Sequence, residues 1–322
     1  MALGFVFPGQ GSQSVGMLGG LVPAPGAEAI IRDTFSEASA VLGYDLWSLV
    51  AQGPAERLNA TECTQPAMLA ADVATFRLWR SRGGPEPAVV AGHSLGEYSA
   101  LVAAGSLGLG EGIDLVRTRG RLMQEAVPAG SGAMAAVLGL EDGEVLAACR
   151  EAAQGQVLEA VNFNAPGQVV IAGESGAIQR GIEAARARGA KRAVALPVSV
   201  PAHSSLMRRA AEQLGRKLAT VPLGKPRIPF VSAVDAKIYD DPRELAALLV
   251  RQLSSPVRWS DTVRALLAAG TKLLVECGPG KVLTALNRRI ERGPGLECLA
   301  LEDAASLEAA LAAAQPSPGK PA

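Results

Sequence analysis

Apolar residues recur along the chain at two periods, one near every second residue and one near every third or fourth. Phe5-Val6-Phe7 reads as a short buried strand stopped by Pro8-Gly9, and Gln10-Gly11-Ser12-Gln13 follows as a glycine-rich loop. The patterning predicts helices over 27–42 and 67–80. Ala88-Val89-Val90-Ala91 is an apolar run of strand type. Gly92 to Gly96 reads as a turn, and 97–104 as a helix with Glu97 in its first turn, where a carboxylate favours the helix dipole.

Between Gly132 and Ser199 the texture changes. Residues 133–140 read as strand, 142–153 as helix, 157–163 and 168–172 as strands, 177–188 as helix and 192–198 as strand. That order is βαββαβ, the split βαβ of a ferredoxin-like unit. Farther on, 228–234 and 272–276 read as strands. Residues 242–253 read as a helix, and Gly278-Pro279-Gly280 turns into a helix containing 282–290. Strands alternating with helices favour an α/β fold with a mostly parallel sheet. The expected division is a small domain, 131–199, inserted into a larger domain of 1–130 and 200–314. Residues 315–322, rich in proline and polar side chains, are expected to be a disordered tail.

Composition narrows the functional classes. The 322 residues are 48% hydrophobic and 19% charged, which fits a globular protein with a sizeable core. A formal net charge of zero gives no reason to expect nucleic-acid or membrane-surface binding. Cys63, Cys149, Cys277 and Cys298 lack paired spacing, which argues against a zinc site and for free thiols in a reducing compartment. The N-terminal apolar stretch is too short for a signal peptide and lacks a basic leader. No segment is long and apolar enough to span a bilayer, so a cytoplasmic location is expected.

The candidate chemistry centres on two histidines. His93 lies in Gly92-His93-Ser94-Leu95-Gly96, a G-x-S-x-G nucleophile elbow, and His203 lies in Pro201-Ala202-His203-Ser204-Ser205. With 36 glycines in the chain the motif alone is weak. The apolar strand before it and the helix after it supply the context an elbow requires. A serine hydroxyl needs a base. His93, adjacent to Ser94 on a tight turn, should point away from it, which leaves His203. Glu97, Asp114 and Asp235 are all possible acids for a triad, and nothing selects one. The Leu95 amide, at the start of a helix, is placed to donate to an oxyanion. The Gln10 loop could bring a second such amide, although on local evidence a plain glycine turn is the simpler reading. It lacks the lysine and spacing of a phosphate cradle. Arg117, Arg119 and Arg121 alternate on one segment. They read most simply as a solvated helix face, though one could be buried to clamp a carboxylate, and the sequence does not rank them.

Several motifs then occur in one order: Phe7-Pro8-Gly9-Gln10-Gly11-Ser12-Gln13, Gly92-His93-Ser94-Leu95-Gly96-Glu97-Tyr98-Ser99-Ala100, Arg119-Gly120, Val161-Asn162-Phe163-Asn164, His203-Ser204, Arg251-Gln252-Leu253 and Gly278-Pro279-Gly280-Lys281. From Phe5 to Ile290 the chain resembles the malonyl-CoA:acyl carrier protein transacylases, the loading enzymes of bacterial type II fatty acid synthesis. The resemblance implies an α/β-hydrolase-like domain with an inserted ferredoxin-like domain. It implies Ser94 as nucleophile, His203 as base, the Gln10 and Leu95 amides as oxyanion hole, and Arg119 as partner of the malonyl carboxylate. It also implies that the main-chain carbonyl of Gln252 holds the histidine in place of a triad acid, and that Asn162 lines the site. Malonyl-CoA and acyl carrier protein are then the partners, no cofactor or metal is required, and a monomer is expected. The stretch Val200-Pro201-Ala202-His203 departs from the pattern. In related acyltransferase domains it sorts malonyl from methylmalonyl units, and small Ala202 admits a relaxed choice; Leu95 matches malonyl-type members.

Carrier docking would need a local basic patch, with Arg186, Arg188, Lys191 and Arg192 on the small domain and Lys281, Arg288 and Arg289 on the large one as candidates. Ordinary solvated helix faces account for most of these. The rival readings are a serine thioesterase using the same pair, a carrier-binding module without activity, and an acyltransferase serving a polyketide synthase in trans.

Overall fold

The structure, a computed structural model, describes residues 2–198 and 200–315. Of the expected tail, residues 316–322 lie outside the described residues; Gln315 closes the last helix.

Ten strands are described: β1 (Ala2–Phe7), β2 (Val89–Gly92), β3 (Gly132–Leu138), β4 (Leu158–Ala165), β5 (Gln168–Glu174), β6 (Arg192–Ala195), β7 (Phe230–Val231), β8 (Ile238–Tyr239), β9 (Thr271–Glu276) and β10 (Glu297–Ala300). The α-helices are α1 (Ala27–Leu42), α2 (Leu46–Gln52), α3 (Ala55–Asn59), α4 (Thr61–Ser81), α5 (Gly96–Ala103), α6 (Leu109–Glu125), α7 (Asp142–Ala153), α8 (Ser175–Ala187), α9 (Arg208–Leu218), α10 (Pro242–Gln252), α11 (Trp259–Ala268), α12 (Val282–Ile290) and α13 (Ala304–Ala314).

The fold is α/β. A six-stranded sheet runs in the order β10-β9-β1-β2-β7-β8, with every pairing parallel except β7 with β8. Central parallel strands are covered on both faces and therefore read as continuous apolar runs. β1 is buried at all but its first position and β2 throughout. Phe5 and Phe7 join the core under α1, α4 and α6, whereas Val6 joins Trp259 and Leu283 from α11 and α12 on the other face.

The second sheet is antiparallel, in the order β4-β5-β3-β6, the ferredoxin-like arrangement of a βαββαβ chain. Helices α7 and α8 cover one face. The other face carries Met134, Val161, Val170 and Ala172, and packs against Val198 and Ala202. Beside Asn162 the β4 strand also pairs with Val257 of the segment before α11: the Phe163 amide donates to the Val257 carbonyl at 2.9 Å, and the Val257 amide to the Val161 carbonyl at 2.8 Å.

Three of the expected elements differ most in extent, and α2, α3, α9, α11, α13, β8 and β10 had no counterpart in the sequence expectation. Helix α4 begins at Thr61, six residues before 67, because Thr61, Thr64 and Gln65 are buried polar residues that interrupt the apolar pattern without interrupting the helix. The strand expected over 192–198 stops at Ala195, two residues short of Pro197, which cannot donate to a ladder. The strand expected over 228–234 is confined to Phe230–Val231. The chain turns there, with the Ser232 amide donating to the Lys237 carbonyl at 2.9 Å, and returns as β8.

Candidate active site

β1 and β2 are neighbours, and the loops that leave their carboxyl ends meet. Ser94 occupies the turn between β2 and α5 with φ 53°, the left-handed conformation of an elbow. Glycine is required around it for space. A Cβ on Gly92 would overlap the Gly96 backbone, and one on Gly96 would overlap the Phe7 carbonyl at the end of β1. A Cβ on Gly9 would collide with the His93 carbonyl and lie 3.7 Å from the Leu95 nitrogen. The glycines thus let the Gly9-Gln10 loop rest against the elbow, beside the Leu95 amide at the start of α5.

The Ser94 hydroxyl lies 2.7 Å from Nε2 of His203, and Nδ1 of His203 lies 2.9 Å from the Gln252 carbonyl. A carbonyl only accepts, so Nδ1 carries the proton and Nε2 is free to accept from Ser94. Burial, followed by the nearby Arg119 charge, pushes the His203 pKa down to about 3, so the ring is neutral at physiological pH. His203 itself adopts φ 65°. Its loop is fixed by Ser204 Oγ donating to the Pro201 carbonyl at 2.7 Å, and by Ser205, whose amide and hydroxyl both donate to Glu159 of β4.

The three arginines separate cleanly. The side chains of Arg117 and Arg121 are 41% and 58% exposed and pair with Asp114 and Glu125 on their own helix. Arg119 is 1% exposed. It donates to Ser94 Oγ at 3.2 Å, Gln65 Oε1 at 2.8 Å and Gln252 Oε1 at 3.1 Å, and lies 5.5 Å from the centre of the Tyr98 ring. A buried cation held only by neutral groups is unusual. Its nearest carboxylate contact runs through Gln252, whose Nε2 donates to both Ser94 O (2.8 Å) and Glu97.

Glu97 is the acid of this site, and it does not touch His203. It accepts from Ser232 Oγ at 2.8 Å, the Ala233 amide at 2.6 Å and the Gln252 carboxamide. Burial raises its pKa to about 7 against these donors. The other two candidate acids are engaged elsewhere, Asp114 by Lys217 and Arg117, Asp235 by Tyr239 and Arg251. His93 turns away from Ser94; its Nε2 lies 2.8 Å from Asn164 Oδ1 and its ring 5.6 Å from that of Trp259. Asn162 sits on β4, its Oδ1 buried and without a hydrogen-bond partner among the described residues.

Sequence reasoning missed Thr61, Gln65, Tyr98 and the side chain of Gln252. Such side chains have no local signature; Gln65, Tyr98 and Gln252 are marked only by their position beside Arg119, and Thr61 by its bond to Gln65. No group of three His, Cys, Asp or Glu side chains that could hold a metal occurs among the described residues, and the four cysteines are buried and free. No described helix is long and apolar enough to cross a membrane. Of the basic candidates, Arg188 pairs with Glu144 and Glu151, and Lys281 with Glu302, whereas Lys191 and Arg192 are exposed.

Comparison with known proteins adds three findings. The acyl transferase domain family matches residues 4–301. The malonyl CoA-acyl carrier protein transacylase of Escherichia coli strain K12 is 52% identical over 307 residues, 95% of this chain and 98% of that protein. Two solved structures superpose closely. An acyl carrier protein S-malonyltransferase from Vibrio cholerae gives a TM-score of 0.92 at 53% identity, covering 96% of this chain and 99% of that one. A malonyl-transacylase in complex with its type II PKS acyl-carrier protein gives 0.94 at 51% identity, covering 97% and 100%.

Proposed function

The chain belongs to the acyl transferase domain family, and from that premise we propose that it transfers malonyl from malonyl-CoA to the phosphopantetheine thiol of acyl carrier protein through a malonyl-serine. The observation that carries this reading is the fully buried Arg119 beside the Ser94–His203 pair. A serine–histidine pair alone serves any acyl transfer. A guanidinium at the nucleophile selects an acyl group that ends in a carboxylate.

His203 Nε2 takes the proton as Ser94 Oγ attacks the thioester carbonyl. The tetrahedral oxyanion forms against the Gln10 and Leu95 amides, where each donor is worth about 3–4 kcal/mol in acyl transfer. The Gln252 carbonyl holds Nδ1–H and steadies the imidazolium in place of a triad acid. Collapse breaks the C–S bond, the proton passes from His203 to the CoA sulfur, and malonyl remains on Ser94. The carrier thiol then gives its proton to Nε2 and attacks the ester, and the proton returns to Ser94 Oγ. Every proton and electron pair moves among these groups, so the cycle calls for no cofactor.

Arg119 has a second effect. Its charge is one cause of the low basicity of His203. A malonyl carboxylate bound to Arg119 screens that charge and makes His203 a better base. The substrate therefore helps activate the site that receives it.

We read 131–199 as a small domain set into a catalytic domain of 1–130 and 200–314, with Asn162 contributing the small domain's wall of the site. The cytoplasm is the proposed location, and fatty acid elongation the proposed pathway. A second reading, supply of a polyketide synthase, is favoured by the close superposition on a transacylase bound to a type II PKS carrier. Comparing fatty acid and polyketide carriers as acceptors separates the two.

The test of the transfer is intact-mass spectrometry with malonyl-CoA, beside Ser94→Ala. A malonyl adduct on the unaltered enzyme alone, discharged by holo acyl carrier protein, is expected. An adduct that decays equally fast without carrier would instead identify a thioesterase.

A further inference from the structure

A chain of side-chain hydrogen bonds joins the carboxylate end of the site to the oxyanion loop. Arg119 Nη1 donates to Gln65 Oε1 at 2.8 Å. Gln65 Nε2 donates to Thr61 Oγ1 at 3.0 Å and to the Met123 sulfur at 3.4 Å. Thr61 Oγ1 donates to Gln10 Oε1 at 2.8 Å. Gln65 must present its oxygen to Arg119, which leaves its nitrogen for Thr61. The Thr61 hydroxyl, accepting there, spends its one proton on Gln10. The chain therefore has a single direction, and each link fixes the orientation of the next.

Three of its four members are buried: Arg119 (1% exposed), Gln65 (0%) and Thr61 (5%). The fourth, Gln10, is an exposed loop residue. The approach is built into the backbone as well. A Cβ on Gly120 would stand 2.7 Å from the Thr61 carbonyl oxygen and 2.8 Å from Glu62 Cα, so glycine after Arg119 lets α6 lie against the first turn of α4. Beside this link, Gln13 ties the same loop to α3 through Asn59 at 2.9 Å.

We infer that Thr61 and Gln65 are positioning residues that couple recognition of the substrate carboxylate at Arg119 to the placement of the Gln10 oxyanion amide. The inference rests on the transfer reading above. One terminal nitrogen of Arg119 is shared between Ser94 and Gln252, and the other is held by Gln65. A carboxylate that draws the guanidinium toward it pulls on Gln65, and the pull reaches Gln10 through Thr61. An acyl group without a carboxylate leaves the chain unengaged. Discrimination for malonyl over acetyl is thereby expressed in the rate of acyl transfer as well as in binding, as transition-state selection requires.

The test is single-turnover acylation of Ser94 from malonyl-CoA and from acetyl-CoA, with Thr61→Val, which keeps the shape and removes the hydroxyl, and Thr61→Ser, which restores it. For Thr61→Val we expect about a tenfold loss in the malonyl rate, the scale of one hydrogen bond. The KM for malonyl-CoA should hold and the acetyl rate should stay within about twofold, because Arg119 is intact and acetyl never engages it. Thr61→Ser should recover the malonyl rate. Thr61→Ala cuts the chain at the same link without valine's added methyl, and should reproduce the donor-selective loss even if Thr61→Val folds poorly. Equal loss with both donors, no loss, or no recovery by serine would overturn the coupling. An unaltered enzyme that forms no malonyl-serine would defeat the transfer reading itself, a separate outcome.

Discussion

Strands β1 and β2 of the large sheet end side by side, and the loops just past them touch, with Gly9 against the His93 carbonyl and beside the Leu95 amide. The small sheet contributes no reacting atom; it touches the segments that hold them. Glu159 of β4 fixes Ser205 behind His203, the face carrying Met134 and Val161 packs on Ala202, and β4 pairs with Val257 close after Gln252. Parallel strands collect loops at one edge and so gather chemistry there. The antiparallel sheet, with helices on only one face, has its other face free to act as a wall. If this division of labour is right, substitutions near β1, β2 and α6 change rate or selectivity strongly, and those on β4 change binding slightly.

The largest effect belongs to Arg119→Ala. Malonyl transfer should fall roughly 100-fold, the scale of a lost charge-assisted bidentate pair, while acetyl transfer is spared or raised. Steady-state kcat/KM with both donors reads this directly. Equal losses would mean that Arg119 serves Ser94 and Gln252 structurally and does not choose the substrate.

A smaller and pH-dependent effect belongs to Glu97→Gln. Glu97 faces three donors, and the carboxylate accepts from all of them. A glutamine must turn an NH2 toward one donor. If that donor is Gln252, its carboxamide flips and Arg119 loses an acceptor. We expect about a tenfold loss of malonyl kcat/KM. In the unaltered enzyme, protonating Glu97 disturbs the same contact, so activity should rise with pH through about 7. His203, held near 3, cannot supply that limb. Stability runs the other way. The Glu97 pKa is raised on folding, so between about 4.5 and 7 the folded state holds a proton that the unfolded chain has released, and stability falls as pH rises across that window. Glu97→Gln should flatten both profiles. An acid limb that survives unchanged would assign it to another group.

These residues also show what the sequence could reveal. Helices 27–42 and 142–153 begin and end where periodicity placed them, and the helix expected to contain 282–290 has those bounds, because each has apolar residues recurring at helical spacing on its buried face. Ser94 and His203 stood out because the chain has only two histidines and one of them is bound to the elbow. Arg119 was hidden among Arg117 and Arg121, since local alternation cannot say which side chain the fold buries. Gln65 and the side chain of Gln252 were illegible for a different reason. They lie 54 and 133 positions from Arg119, and a glutamine's role is set by its neighbours in space. Helix α9 was not read as one; of its 11 residues, RRAAEQLGRKL, five are Arg, Lys or Glu, which leaves a narrow apolar stripe.

The smallest effect tests the wall. Asn162 lies where β4 shifts register against β5 and bridges to Val257. Its Oδ1 is buried without a partner among the described residues, and a desolvated lone acceptor costs stability. On the reading of Asn162 as a residue that lines the site, this acceptor is kept for a donor on the substrate, and the amide N–H groups of a pantetheine arm are donors of the right kind. Asn162→Leu removes the oxygen at nearly constant volume. The melting temperature should hold or rise by about 1–3 °C, while the KM for malonyl-CoA rises about threefold and kcat stays close to its original value. Opposite movements of stability and affinity are the signature of an atom retained for binding. A fall in both would show Asn162 to be a packing residue of the small sheet, and a fall in kcat alone would move it from the wall into the reacting centre.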